Sequence, residues 1–160
     1  MSWMLLTELP LPLAGRIFRS PMPFSSYDPE GEALVRFKEE KVSLIVLLAE
    51  DEECLLRTGR NLKEFYTREG FRVIHLPTPD FYVPPKEDLE EAVKTTAEEA
   101  RRGSNIAIHC HAGIGRTGLF IAYLAKEVLG LSGEEAFHWV RRHIPGAMES
   151  REQRQMLMDK

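Results

Sequence analysis

A cysteine and an arginine six positions apart, Cys110 and Arg116, are the residues of this sequence best suited to bond-making chemistry. A cysteine thiolate is a strong nucleophile, and the planar guanidinium of an arginine can bind two oxygens of an oxyanion at once. Both residues lie in the stretch His109–Gly118, which reads HCHAGIGRTG. The pair therefore predicts nucleophilic attack on a bound oxyanion such as the phosphate of an ester.

The elements around this stretch would position it as an anion-binding loop. Residues 105–108 are apolar and rich in β-branched side chains, which predicts a short strand, and residues 119–129 are apolar on nearly every side, which predicts a buried helix. A loop that opens a helix directs unpaired N–H groups and the positive end of the helix dipole at an anion. Three glycines, Gly113, Gly115 and Gly118, permit the close backbone approach that such a loop needs.

The side chains of the loop divide into reacting and supporting roles. The helix dipole, the loop amides and Arg116 all favour the thiolate form of Cys110. Thr117 can donate its hydroxyl to that sulfur and so help the thiolate to leave when a covalent intermediate breaks down. His109 is expected to hold the loop's shape through local hydrogen bonds rather than to transfer protons. We expect the phosphate to be bound by His111 (its side chain on the pocket rim), Ala112, Gly113, Ile114, Gly115 and Arg116.

This stretch resembles the signature loop of the cysteine-dependent protein tyrosine phosphatases: Cys-x5-Arg followed by Thr-Gly and preceded by a histidine after a strand. The short single-domain members, including the dual-specificity and small prokaryotic types, fit the length of 160 residues best. The resemblance implies one phosphatase catalytic domain over residues 1–160. It also implies hydrolysis of phosphotyrosine and, for a dual-specificity type, of phosphoserine or phosphothreonine, through a phosphocysteine intermediate.

Two further catalytic residues are implied by the same resemblance. Asp80 lies between prolines in the segment 77–85, which could move as one stiff body, and it resembles the general acid that this family carries on a Pro-Asp loop. Thr78 stands where the family usually has an aromatic residue. The string PGAMESREQ resembles the segment that presents a glutamine to the active site, so Gln153 is expected to orient the hydrolytic water, with Gln155 as a substitute.

An acidic run over residues 50–53 follows the predicted buried strand 44–48, at the sheet edge where α/β proteins place their ligands. We expect Glu50 to brace Arg116, and the alternative is a solvated loop that only caps the next helix. Cys54 is expected to be a packed small side chain. The alternative for Cys54 is a reversible disulfide with Cys110, which would protect the nucleophile from oxidation.

The remaining elements follow from periodicity and turn residues. The sequence predicts strands over residues 3–7, 16–19 and 71–76, and helices over residues 29–41, 62–69, 85–102, 132–143 and from Ser150 onward. Their order gives an α/β fold with a central, mixed and mainly parallel sheet of four to five strands flanked by helices. The basic run 141–143 ends one of these helices, where cations complement the dipole, so substrate contact is the less favoured interpretation.

Composition argues against several other classes of protein. A net charge of −4 disfavours general binding to nucleic acid or to an anionic membrane, because both need a broad basic surface. Two cysteines do not make a disulfide framework, which favours a reducing, cytoplasmic setting. The apolar segment 3–6 is interrupted too soon to be a signal peptide or a membrane span. We expect a monomer acting on a phosphorylated protein or peptide, without a cofactor, since no His, Cys or carboxylate set has metal-ligand spacing.

The choice of substrate stays open at this point. Phosphotyrosine is favoured because Phe81 and Tyr82 could supply an aromatic wall for a phenyl ring. The alternatives are a phosphoinositide or RNA 5′-phosphatase with the same chemistry, a non-catalytic phosphate-binding module, and an arsenate reductase or low-molecular-weight phosphatase. Preference for tyrosine over serine would depend on the depth of a cleft formed by residues such as Phe24, Tyr27 and Phe81.

Overall fold

One mixed five-stranded sheet forms the centre of the protein. The computed structural model describes residues 5–159. The strands are β1 (Thr7–Leu9), β2 (Ile17–Ser20), β3 (Val42–Leu47), β4 (Arg72–His75) and β5 (Asn105–His109). Their order in the sheet is β1-β2-β5-β3-β4, and every neighbouring pair is parallel except β1 with β2. This confirms the predicted α/β fold with a mainly parallel sheet, and it places β5 at the middle.

Helices cover both faces of this sheet. They are α1 (Glu32–Glu39), α2 (Asp51–Thr58), α3 (Leu62–Arg68), α4 (Lys86–Arg101), α5 (Gly115–Leu129), α6 (Gly133–His143) and α7 (Arg151–Met158). Alternate residues of β3 enter opposite halves of the core: Leu44 and Val46 pack with α4 to α7, whereas Ile45 and Leu47 pack with α1 to α3. A strand covered on both faces needs apolar side chains on both, which explains the hydrophobic run over residues 44–47.

The helix α5 is the most deeply enclosed of the described helices, and every residue from Gly115 to Ala125 is buried. It packs between the sheet and the helices α4, α6 and α7. The predicted buried helix therefore exists, and its first turn begins four residues earlier than its apolar run. This arrangement fixes the beginning of α5 rigidly at the carboxyl end of β5.

Three loops meet at one edge of the sheet because β3, β4 and β5 run parallel. Leu48 N–H donates to His109 O at 3.0 Å, and Thr78 N–H donates to Leu48 O at 3.0 Å. These bonds hold the beginning of α2, the segment after β4 and the loop after β5 together. This is the edge where open α/β sheets bind their ligands.

The boundaries of α1 and β1 also differ from the predicted ones. The helix α1 begins at Glu32 rather than at Pro29, because the carboxylate of Asp28 accepts hydrogen bonds of 2.9 Å from the N–H groups of Glu32 and Ala33. The predicted strand over residues 3–7 begins at Thr7 in the structure, and residues 3 and 4 lie outside the described residues.

The helix α2 was not predicted. Its apolar residues do not mark a buried helix face, because Leu55 and Leu56 are exposed and Cys54 is the one buried residue of the helix. Acidic residues in its first turn complement the positive end of the helix dipole. The acidic run is therefore the start of a helix rather than a solvated loop.

Candidate active site

Cys110 directly follows β5 and is buried at the start of the loop, with 2% of its surface exposed. The hydroxyl of Thr117, in the first turn of α5, donates a hydrogen bond to its sulfur at 3.1 Å. A hydrogen bond of this kind stabilises the thiolate relative to the thiol. The structure thus brings together the thiol expected to be the nucleophile and the hydroxyl expected to stabilise it.

The backbone of the loop leaves its amides open. Within residues 5–159, no protein acceptor binds the N–H groups of residues 111–117. The carbonyl of Ala112 accepts from Arg19 Nη2 at 2.8 Å, and that of Gly113 accepts from Arg19 Nε at 3.0 Å. Because N–H and C=O point in opposite directions across a trans peptide unit, the amides of Gly113 and Ile114 face away from Arg19. These amides and the beginning of α5 form a cup for an anion.

Arg19 is a supporting residue that the sequence reasoning did not identify. Its guanidinium is buried against the outer side of the loop, and burial lowers its pKa while the nearby charge of Cys110 raises it. Gly113 has a φ of 81°, and a Cβ at that position would collide with the Arg19 guanidinium. The sequence did contain an indication of this role: Arg19 is a charged residue in the apolar strand IFRS, and a buried charge requires a polar partner.

Arg116 donates three hydrogen bonds to protein oxygens and forms one further ion-pair contact. Nη1 donates to Glu53 Oε1 and to the carbonyl of Thr78, each at 2.8 Å. Nη2 donates to Glu53 Oε2 at 2.8 Å and lies 3.2 Å from Asp80 Oδ1. The Nε atom is buried and has no partner among residues 5–159. Although burial opposes its charge, the hydrogen bonds to Glu53 and the charges of Cys110, Glu53 and Asp80 raise the pKa of Arg116 above its ordinary value.

The brace of Arg116 is Glu53, and the prediction of Glu50 was wrong. Glu50 is exposed and occupies the cap position before α2, whereas Glu53 lies three residues later, in the first turn of that helix. The helix turns Glu53 towards the loop, where its carboxylate matches the guanidinium in a bidentate pair. Burial would raise the pKa of Glu53, but the hydrogen bonds and charge of Arg116 lower it, so the carboxylate stays ionised.

Asp80 lies over the cup on the segment after β4. Its carboxylate is partly exposed, pairs with Arg116 and accepts a hydrogen bond of 3.0 Å from Phe81 N–H. Thr78 is buried, and its hydroxyl donates to Leu76 O at 3.0 Å, so a polar contact holds the backbone just before Asp80. Phe81 and Tyr82 remain 53% and 59% exposed beside Asp80. They are available as the aromatic wall that the sequence suggested.

Gln153 reaches the loop, and Gln155 does not. Gln153 is buried in the first turn of α7, donates from Nε2 to Tyr82 O at 3.3 Å, and lies against Gly115, where a Cβ would come 3.2 Å from its Oε1. Gln155 is exposed and donates instead to Asp159 at 3.0 Å.

Glu149 is a second acidic residue at the cup, and the sequence reasoning missed it. Its Oε1 would lie 2.7 Å from a Cβ on Gly115. Partial burial raises its pKa, and the charge of Asp80 raises it further, while Arg116 acts in the opposite sense. Glu149 belongs to the same string, PGAMESREQ, that predicted Gln153 to lie at the site, and this shared position was the indication in the sequence.

The two histidines of the loop differ in environment. His109 is fully buried between Tyr66 OH, 2.7 Å from Nε2, and Cys110 O, 2.9 Å from Nδ1. Since a carbonyl only accepts, Nδ1 carries the proton and Nε2 accepts from the tyrosine. Burial lowers the pKa of His109 to about 4, so it is neutral and holds the loop's shape. His111 is half-buried at the rim against Tyr27, with ring centroids 4.8 Å apart, and burial also lowers its pKa.

Among residues 5–159, one group of side chains has the spacing of metal ligands. Glu53, Asp80 and His111 bring ligand atoms within 4.8 Å of one another, although they come from helix α2 and two separate loops and no sequence motif joins them. Both carboxylates already pair with Arg116, and its positive charge opposes a cation at the same place. The arrangement is therefore better suited to an anion held by Arg116.

Cys54 is a packed side chain in the half of the core formed by α1 to α3, whereas Cys110 packs in the other half. Both thiols are free. Burial, together with the charges of Glu53 and Asp51, raises the pKa of Cys54 to about 12, so its thiol stays protonated and unreactive.

Several known proteins are similar to this chain. A model of the family described as "Tc-R-P: Polymorphic toxin system, DSP-PTPase phosphatase" matches residues 25–127. Tyrosine-protein phosphatase cdc-14 of Caenorhabditis elegans is 32% identical over 116 residues, which are 70% of this chain and 14% of that protein. The crystal structure of Tk-PTP in its active form is 34% identical, has a TM-score of 0.74 and is covered over 89% of both chains.

Kinase associated phosphatase shares the fold at lower identity. It is 20% identical, with a TM-score of 0.84 over 96% of this chain and 92% of that one. The curated relatives are longer than this chain, which matches only 14% of the length of the nematode protein. None of the helices formed by residues 5–159 is both long and apolar enough to span a membrane.

Proposed function

The chain belongs to the polymorphic toxin system DSP-PTPase phosphatase family, and from that premise we propose that it hydrolyses phosphotyrosine monoesters in proteins or peptides, and phosphoserine or phosphothreonine as further substrates. The reaction proceeds in two steps through a phosphocysteine on Cys110. What supports the proposal is that the buried thiol of Cys110, loop amides without a protein acceptor and the Nε–H of Arg116, unpartnered among residues 5–159, belong to one loop, and that the charge of Cys110 acts on Arg116.

In the first step the Sγ atom of Cys110 attacks phosphorus as the bond to the leaving oxygen breaks. The loop amides and the Nε–H of Arg116 bind the equatorial oxygens, and Nη2 can join them when Asp80 leaves it. The carboxyl of Asp80 then gives its proton to the departing phenolate or alkoxide. A substrate phosphate oxygen would thus replace Asp80 Oδ1, which lies 3.2 Å from Arg116 Nη2 in this structure.

In the second step a water molecule attacks the phosphocysteine, and the sulfur leaves as a thiolate. Asp80, now ionised, takes the water's proton, and the amide of Gln153 orients the water by donating one hydrogen bond and accepting another. The hydroxyl of Thr117 stabilises the departing thiolate. Glu53 acts as a positioning residue, because it holds Arg116 without touching the reacting atoms.

We propose residues 1–160 as one catalytic domain that acts as a cytoplasmic monomer without a cofactor. The single sheet shared by all described helices supports one domain, and two free cysteines are typical of a reducing compartment.

The test is hydrolysis of a chromogenic aryl phosphate by the purified protein in the presence of EDTA. We expect turnover in the wild type and in Cys54→Ser, and none in Cys110→Ser. Panels of phosphotyrosine, phosphoserine and phosphoinositide substrates then compare substrate classes, since the fold neighbour PTPMT1, which is 20% identical, was crystallised in complex with PI(5)P. A wild type without turnover, or a Cys110→Ser variant as active as the wild type, would overturn the proposal.

A further inference from the structure

A groove of about 560 Å³ opens directly beside the anion cup. Its lining includes Ala112 and Ile114 of the loop, residues 27–30 and 32 on one side, and residues 143–145 on the other. We refer to it as the acidic groove. Because it shares two loop residues with the cup, whatever is attached to a bound phosphate ester on this side must lie in or over it.

Carboxylates dominate the polar lining of this groove. Glu30, Glu32 and Glu149 line it with exposed side chains. In the part of the chain that the structure describes, neither Glu30 nor Glu32 forms an ion pair. A fourth acid, Asp28, is buried and is already engaged in capping α1. Three negative charges are thus left to face a ligand.

The basic residues of the groove do not balance these charges. Arg19 is buried and held to the loop carbonyls of Ala112 and Gly113. His143 is half-buried, and burial, with the charge of Arg142, lowers its pKa, which keeps the ring neutral at neutral pH. The groove is therefore negative at its rim, although the cup beside it is made for an anion.

The wall of the groove is apolar. Tyr27, Pro29, Ile144 and Pro145 line it, and Tyr27 is 56% exposed. An apolar wall with an acidic rim fits a side chain that has a long hydrocarbon stem and a cationic end, because the stem packs on the wall while the end reaches the carboxylates.

We propose that the acidic groove binds a lysine or arginine side chain close to the phosphorylated residue of a substrate peptide. The inference rests on the proposed phosphatase activity and names the substrate feature that the same site selects. The same groove would favour basic phosphopeptides over polyanionic substrates. A phosphoinositide with several phosphates, or an RNA 5′ end, would place further negative charge against Glu30 and Glu32 and be repelled.

The experiment compares phosphotyrosine peptides that carry lysine, glutamine or glutamate at the positions flanking the phosphotyrosine. At low ionic strength the wild type should show a kcat/KM about fivefold higher for the lysine peptides than for the glutamate peptides, and added salt should reduce the difference. The variant Glu30→Gln/Glu32→Gln should lose most of this preference, and Glu30→Lys/Glu32→Lys should reverse it. Neither variant should change kcat/KM for a small aryl phosphate, which does not reach the rim.

The matched control is Glu90→Gln/Glu91→Gln, which removes two exposed carboxylates from α4, a helix that contributes no residue to the groove. It should leave the preference unchanged. Equal rates for lysine and glutamate peptides, or a preference that survives both groove variants, would overturn the groove proposal while aryl phosphate turnover upheld the phosphatase activity. Faster hydrolysis of a polyphosphorylated inositol lipid would also overturn it. No aryl phosphate turnover by the wild type would contradict the activity, and the groove proposal with it.

Discussion

Glu53 holds Arg116 through two parallel hydrogen bonds, Nη1 to Oε1 and Nη2 to Oε2, both 2.8 Å long. A planar pair of this kind fixes the plane of the guanidinium as well as its position. The carbonyl of Thr78 accepts a second hydrogen bond from Nη1, so the buried Nε–H remains free to bind an oxyanion. The acid that orients Arg116 therefore comes from a helix, at a position 63 residues earlier in the chain.

We expect Glu53→Gln to lower kcat/KM for an aryl phosphate by about 10²-fold, because a glutamine cannot form both charge-assisted bonds and a small displacement of Arg116 misplaces the phosphate. The affinity for inorganic phosphate as a competitive inhibitor should fall in parallel. The matched control is Glu50→Gln, an exposed position in the same acidic run, which should stay within about twofold of the wild type. Equal effects of the two substitutions on kcat/KM would contradict the role of Glu53 in positioning Arg116.

Asp80→Asn tests the proton donor. Proton donation matters most when the leaving oxygen is basic, so kcat for poor leaving groups should fall by about 10² to 10⁴-fold and that for good leaving groups much less. The measurement is a series of aryl phosphates with graded phenol acidity. An equal loss across the series would show that Asp80 is not the acid.

Thr117 should affect the second step more than the first. Its hydroxyl donates to Sγ at 3.1 Å, so Thr117→Ala should slow the breakdown of the phosphocysteine and produce a burst of phenol release before steady turnover. Thr117→Ser keeps the hydroxyl and should abolish the burst. A variant without a burst, whose rates of both steps fall equally, would assign Thr117 to packing alone.

The protein should lose stability as the pH falls from about 6.5 to about 4, because the pKa of buried His109 is lowered to about 4. Above this range the histidine is neutral in both states. Within it the unfolded chain binds a proton that the folded protein cannot, so the free energy of unfolding decreases with falling pH, by roughly 3 kcal/mol in all. Urea denaturation measured between pH 7 and pH 4 checks the slope.

The variant His109→Asn should flatten this slope, and His138→Asn, at an exposed position, should leave it unchanged. Identical slopes in the wild type and His109→Asn would contradict the assigned role.

The sequence predicted the parts of the site that are local in the chain. Cys110, Thr117 and Arg116 belong to one loop and helix, so their spacing alone indicated that they meet. The spacing of residues could not identify the partner of Arg116. Choosing Glu53 over Glu50 required knowing that α2 begins at Asp51 and which side of its first turn faces the loop.

Arg19 and Glu149 were missed for a related reason. Arg19 reaches the loop only through the pairing of β2 with β5, and Glu149 only through the packing of the segment before α7 against Gly115. Both contacts join residues far apart in the chain. By contrast, the mainly parallel sheet followed from apolar runs alternating with amphipathic helices, a pattern that needs no knowledge of side-chain contacts.

The most direct test of the account is to trap the covalent intermediate. The wild type is mixed with an aryl phosphate, quenched in acid within the first turnovers, digested and examined by mass spectrometry. We predict a phosphoryl group on the peptide that contains Cys110 and none on the peptide that contains Cys54, with a larger trapped fraction in Thr117→Ala. Sustained turnover with no phosphoryl adduct on Cys110 in either protein would contradict the account.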